Sequence, residues 1–183
     1  MSIWKALGLE QLEQKGWPRA ASSETETVRK IVGALNQWEP GQARFVAAFA
    51  YLLSRVAHAD QNISEDETRS MERIVMERGG LPEEQAILVV QMAKTQNLLF
   101  GGTENFLVSR EFEKIASREQ KLALLDCLYA VSAADKSIST VEDNEIRKIS
   151  RELKMSHQDY IGVRLAYRDS LAVLQKPSSS QTP

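Results

Sequence analysis

The chain has 183 residues, 43% of them hydrophobic and 26% charged, with a formal net charge of −2. This is a globular composition, and the length suits one domain or two small repeats sharing a core. It excludes a basic field for holding nucleic acid, and a single cysteine, Cys127, excludes an internal disulfide and a Cys-rich zinc site. That lone thiol fits a reducing compartment. No apolar run reaches the roughly 18 residues needed for a membrane span. The start, MSIWKALGLEQLEQKGW, has one early Lys, scattered acids and no cleavage-like site, so it does not read as a signal peptide. A cytoplasmic location is expected.

In chain order, Ile3, Trp4, Leu7 and Leu12 space out a short amphipathic helix. Its charges, Lys5, Glu10, Glu13 and Lys15, cancel, which favours packing on the body over an anionic lipid surface. Residues 1–22 are read as this helix and a linker. Ser23 to Glu26 is a capping box that starts a helix through Val28, Ile31, Val32 and Leu35. Pro40 suits a first helical position, and Phe45, Phe49, Leu52, Leu53 and Val56 give the next helix a broad apolar face, as in a central element.

A helix over 65–78 follows, ended by Gly79-Gly80, and Pro82 opens another with Ala86, Ile87, Val90 and Met92 inward. The connector TQNLLFGGTEN leads to helices over 104–115 and, after a Ser117–Gln120 capping box, through Leu122, Leu125, Leu128 and Val131. The last two are expected over 140–153 and 157–171, and the Pro/Ser-rich 172–183 as a disordered tail.

Residues 57–67 read AHADQNISEDE, and 75 positions later the chain reads SAADKSISTVE. At that shift Leu53 falls on Leu128, Val56 on Val131, Asp60 on Asp135, Ile63 on Ile138, Glu67 on Glu142 and Ile74 on Ile149, without a gap. The fold class expected is all-α: a compact bundle of about eight helices, built from a duplicated four-helix unit with pseudo-two-fold symmetry. The repeats run over 23–95 and 104–171, within one domain at 23–171.

Half of each acidic motif is explained by helix capping. Ser64–Glu67 and Ser139–Glu142 are S-x-x-E boxes, in which the Ser oxygen takes the N3 amide and the Glu reaches back to the N-cap amide. Asp60 and Asp135 instead follow long apolar helices, at the negative end of the dipole, where a carboxylate is disfavoured by about 0.3–1 kcal/mol. Either an Asx-type turn or a cation offsets that. Asp60-x-Asn62-x-Ser64 matches the opening of a calcium loop, but position six is Glu65 rather than Gly and position twelve is Met71 rather than Glu. It is not an EF-hand. What remains is hard-oxygen chemistry, suited to Ca²⁺ or Mg²⁺, in which both loops together supply four carboxylates. His58, two residues before Asp60, is read as a helix-end cap rather than a further ligand.

The doubled A-D-x-x-I-S-x-x-E on a helical frame resembles the TerB-like domain of tellurite-resistance proteins, over about residues 28–170. The resemblance implies an all-α fold, a bacterial cytoplasmic setting and a link to metal or oxyanion stress. It also implies that Asp60, Glu67, Asp135 and Glu142 are the acidic positions proposed to bind metal. The family's usual Gly after the Asp suits a left-handed backbone; here Gln61 and Lys136 replace it, and Lys136 sets a positive charge beside Asp135.

No nucleophile with a triad partner and no Gly-rich phosphate loop occurs in the sequence, so a non-enzymatic domain is expected. The reading is a stress-response domain with an acidic face for a divalent metal ion, acting on another protein, with a membrane-associated stress complex as one setting. The alternative is a metal-free helical scaffold or adaptor, with the aspartates purely structural.

Overall fold

The computed structural model describes residues 33–57, 65–95, 105–134 and 136–174. Residues 33–36 are helical, and seven α-helices follow: α1 (Pro40–Val56), α2 (Glu65–Glu77), α3 (Glu83–Lys94), α4 (Asn105–Ile115), α5 (Arg118–Ser132), α6 (Thr140–Glu152) and α7 (His157–Ala166). Two 3-10 turns, Arg168–Ser170 and Ala172–Leu174, close the described chain. Among the described residues there is no strand, only an isolated parallel bridge between Ile138 and Leu171. The fold is all-α, as the periodicity predicts.

The helix limits follow local chemistry. Pro40 stands at the first position of α1, where its missing N–H costs nothing. Ser117 and Ser139 each accept from an N3 amide while Gln120 and Glu142 reach back, giving the two expected capping boxes on α5 and α6. Ser156 caps α7 through the Asp159 amide. Beyond α2 the chain turns at Gly80, whose φ of 68° is left-handed. At Gly79 a Cβ would lie 2.5 Å from the Val75 carbonyl oxygen, so the turn has no room for a side chain there. Pro82 proves to be the N-cap of α3 rather than its first residue. The last helix stops at Ala166, short of the expected 171, and Tyr167 begins the tighter turn. Ala172 and Leu174 lie within the expected disordered tail, yet the Ala172 N–H donates to the Ile138 carbonyl at 2.9 Å. The amphipathic helix at 3–12 and the Ser23 and Ser64 caps fall outside the described residues.

Helix α1 is central. From Val46 to Val56 every residue is buried, and the helix packs chiefly on α3 and α4 and also on α5 and α6. Phe45 stacks on Phe112 at 5.2 Å, and Phe49 meets Phe112 edge-on at 6.2 Å. On the other half, α5 packs on α6 and α7, and Tyr129 stacks on Tyr167 at 5.5 Å. Across the halves α1 packs on α6 and α2 packs on α5. The intra-half contacts differ: α3 leans on both α1 and α2, while α7 leans chiefly on α5. Helix α6 begins and ends 75 residues after α2.

One charged side chain sits inside this apolar frame. Arg55, 5% exposed, donates from Nε and Nη2 to Glu145 Oε1 at 2.8 and 2.6 Å. Its Nη1 donates to Glu152 Oε2 at 2.6 Å and to Ser109 Oγ at 3.0 Å. The guanidinium thus ties α1 to α4 and α6. Burial opposes the charge on Glu152, but the hydrogen bonds from Arg55 and Ser109 outweigh it and hold the carboxyl below its ordinary range. Removing one partner of such a cluster strands the others. Arg55→Met should therefore lower stability by about 3–5 kcal/mol, and Arg55→Lys should recover only part, because one ammonium lacks the planar fork that reaches two carboxylates and a hydroxyl. Denaturant unfolding of both variants checks this; a loss under about 1 kcal/mol for Arg55→Met would reduce the cluster to an ordinary surface pair.

Candidate functional site

The C-terminal ends of α1 and α5 and the N-terminal turns of α2 and α6 surround one pocket of about 340 Å³. The walls are apolar: Val56 and Ala57 from α1, Met71 and Ile74 from α2, Val131 and Ala134 from the end of α5. Three carboxylates line it as well, Asp66 and Glu67 from α2 and Glu142 from α6, and no basic residue is among the described lining residues. Both acidic motifs therefore contribute to a single pocket. Asp60 and Asp135, the other two expected ligands, and His58 lie outside the described residues.

Glu142 has a capping role at the same time. Its Oε2 accepts from the Ser139 N–H at 2.8 Å and from Ser139 Oγ at 2.6 Å. Both bonds fall on one oxygen. Asp66 is almost fully exposed and lies 3.8 Å from Arg69, also exposed, a pair too well solvated to matter much. Ile138 carries the second motif into the core at 1% exposure. His157 opens α7 and sits 6.4 Å from the Tyr160 ring, outside the pocket's lining. Cys127 is fully buried, and desolvation pushes its thiol far up, so it has no thiolate for chemistry.

Further strongly placed acids serve packing. Burial opposes the charge of Asp143, but Arg164 donates to it from two nitrogens, at 2.9 and 2.7 Å, and Tyr129 Oη adds a bond at 2.9 Å; together they hold the carboxyl below its usual range. Among the described residues no group of three or more His, Cys, Asp or Glu side chains is placed to hold a metal ion. Glu67 and Glu142 both line the pocket, and two carboxylates are fewer oxygen ligands than Ca²⁺ or Mg²⁺ takes.

Two features of the pocket escape a reading by motif. Asp66 lies inside the Ser64–Glu67 box and reads as helix-start charge. Ser132 falls on Ala57 at the repeat shift, so a hydroxyl stands where the other copy is apolar. It is 6% exposed and lines the pocket, while its Oγ is itself sealed from solvent and has no hydrogen-bond partner among the described residues.

This fold and site define an all-helical domain with an acid-rimmed apolar pocket. The chain belongs to the TerB family: the family described as tellurite resistance protein TerB matches residues 45–165. Neither a curated protein nor a solved structure matches the chain. Among the described residues no helix is long and apolar enough to cross a membrane.

Lys136 bears on the family comparison. Its φ is 66°, so the left-handed conformation expected for the family's Gly is present with a lysine in it. A side chain there costs roughly 1–2 kcal/mol. Lys136→Gly should raise stability by up to about 1 kcal/mol, the relief being partly offset by the greater freedom of glycine when unfolded. Thermal melting checks the sign; a loss would mean the side chain makes contacts that outweigh the strain.

Proposed function

We propose that this TerB domain is a non-enzymatic, cytoplasmic binding module of the stress response whose pocket takes a divalent cation, with Ca²⁺ or Mg²⁺ favoured by the all-oxygen donors. The observation that carries the proposal is that Glu67 and Glu142, from equivalent places in two motifs 75 residues apart, line the same pocket. Asp60 and Asp135 supply the remaining charge in this reading. Lys136 offsets Asp135 in part, making the second loop the weaker contributor.

A duplicated four-helix unit with pseudo-two-fold symmetry, within a domain at 23–171, accounts for this convergence. It is supported by the equal spacing of α2 and α6 and by the reciprocal packing of α1 on α6 and α2 on α5. A protein partner is supported by Val141, an apolar side chain 79% exposed and next in sequence to Glu142. An adaptor without metal would keep that contact and leave the carboxylates to capping.

Calorimetric titration of Ca²⁺ and Mg²⁺ into the parent, at fixed pH and salt, should give saturable heat at millimolar ion or below. Asp60→Asn should keep the fold, since Asn retains one oxygen and the Asx-turn geometry, and should lose most of the heat. Asp135→Asn should lose less. No heat in the parent would dismiss the metal and leave the adaptor standing.

A further inference from the structure

The end of the chain reaches the second acidic motif through the isolated bridge between Ile138 and Leu171. Ile138 stands in the loop between α5 and α6, one residue before the Ser139 cap, and is 1% exposed. A loop residue buried that deeply has an N–H and a C=O that no helix of its own satisfies. The chain past α7 satisfies both. The Ile138 N–H donates to the Ser170 carbonyl at 2.7 Å, and the Ile138 carbonyl accepts from the Ala172 N–H at 2.9 Å. Leu171, between those two partners, is itself 1% exposed. Its neighbours on either side hold little: Arg168 and Asp169 are exposed, and Val173 and Leu174 are 60% and 59% exposed. Tyr167 is the anchor before them, stacked on Tyr129 and donating to Asp126 Oδ1 at 2.7 Å.

We infer that residues 168–174 form a latch on the second acidic motif, hinged at Tyr167, which opens as a unit without unfolding the bundle and controls how Glu142 is held at the pocket. One buried side chain and two backbone hydrogen bonds close the latch, whereas α1 is buried without a break from Val46 to Val56. A segment with so few buried contacts opens at a fraction of the free energy of global unfolding. Opening strips Ile138 of both backbone partners, which is disfavoured while it stays buried, so the loop is drawn out of the core. Ser139 is the next residue, and its N–H and Oγ hold Glu142 Oε2 at 2.8 and 2.6 Å. The carboxylate that lines the pocket is therefore freed with the loop. A change at the end of the described chain reaches the pocket by this route.

The latch acts on the placement of Glu142 whatever the pocket takes, so the test needs no ligand. Amide hydrogen exchange on the full chain, over a series of subdenaturing guanidinium concentrations, reads each opening separately. In the parent, the Ile138 and Ala172 amides should exchange together, about tenfold or more faster than those of Phe49 and Leu53 in α1. Their rates should barely depend on guanidinium, while the α1 rates rise steeply. Leu171→Ala should speed the Ile138 and Ala172 amides by about tenfold or more, and the Ser139 and Glu142 amides by a similar factor, still with little dependence on guanidinium. Val173→Ala, an exposed position beyond the bridge, should change none of the four. Exchange of Ile138 and Ala172 only at the α1 rate, with the same steep dependence, would mean that no separate latch exists, a result read from the parent alone. Unchanged Ser139 and Glu142 rates in Leu171→Ala would mean that the strap covers the loop without controlling it. Either result would overturn the proposal.

Discussion

Arg55 is the constraint from which the pocket's geometry follows. Its guanidinium is buried at the last turn of α1 and held by Glu145 and Glu152 of α6 and by Ser109 of α4. The next two residues, Val56 and Ala57, line the pocket, and Glu142 stands one turn before Glu145 on α6. A buried guanidinium with two carboxylates is a costly arrangement that survives only with near-ideal geometry. That demand fixes how α1 and α6 approach each other, and so where one wall of the pocket stands relative to its acidic rim.

The rest of the frame supports the same approach. Helix α1 is buried without a break from Val46 to Val56, with the Phe45, Phe49 and Phe112 rings filling one flank. On the other side Asp143, next after Glu142, is fixed by Arg164 and Tyr129 and so anchors the first turn of α6 to α7 and α5. Glu142 is therefore placed from three directions: its own capping box, the Asp143 ion pair and the Arg55 cluster. A carboxylate held this way loses little further freedom on meeting a cation, which is the physical sense in which the pocket is preorganised.

Much of this was legible in the residues themselves. Helical period, Pro40, Gly79-Gly80 and the Ser117 and Ser139 boxes mark limits close to those observed, because helix termini are decided by local hydrogen bonds. The shift of 75 pairs Glu67 with Glu142, and those two do meet at one pocket. Arg55 was not legible: inside LLSRVA it reads as an arginine at a helix end, and its carboxylate partners lie 90 and 97 residues away. The short run past Tyr167 differed because Tyr129 and the Asp126 carboxylate capture the Tyr167 ring and hydroxyl, which favours a tight turn over another turn of α-helix.

The central claim is that the two acidic motifs act as one site. A double-mutant cycle on Glu67→Gln and Glu142→Gln, read as the gain in melting stability on adding Mg²⁺, tests it most directly; glutamine keeps the acceptor that each cap needs. If the motifs share a ligand, either single variant removes most of the gain and the double variant removes no more than the larger single loss. Two partial losses that add in the double variant would mean two separate sites, and would contradict the account.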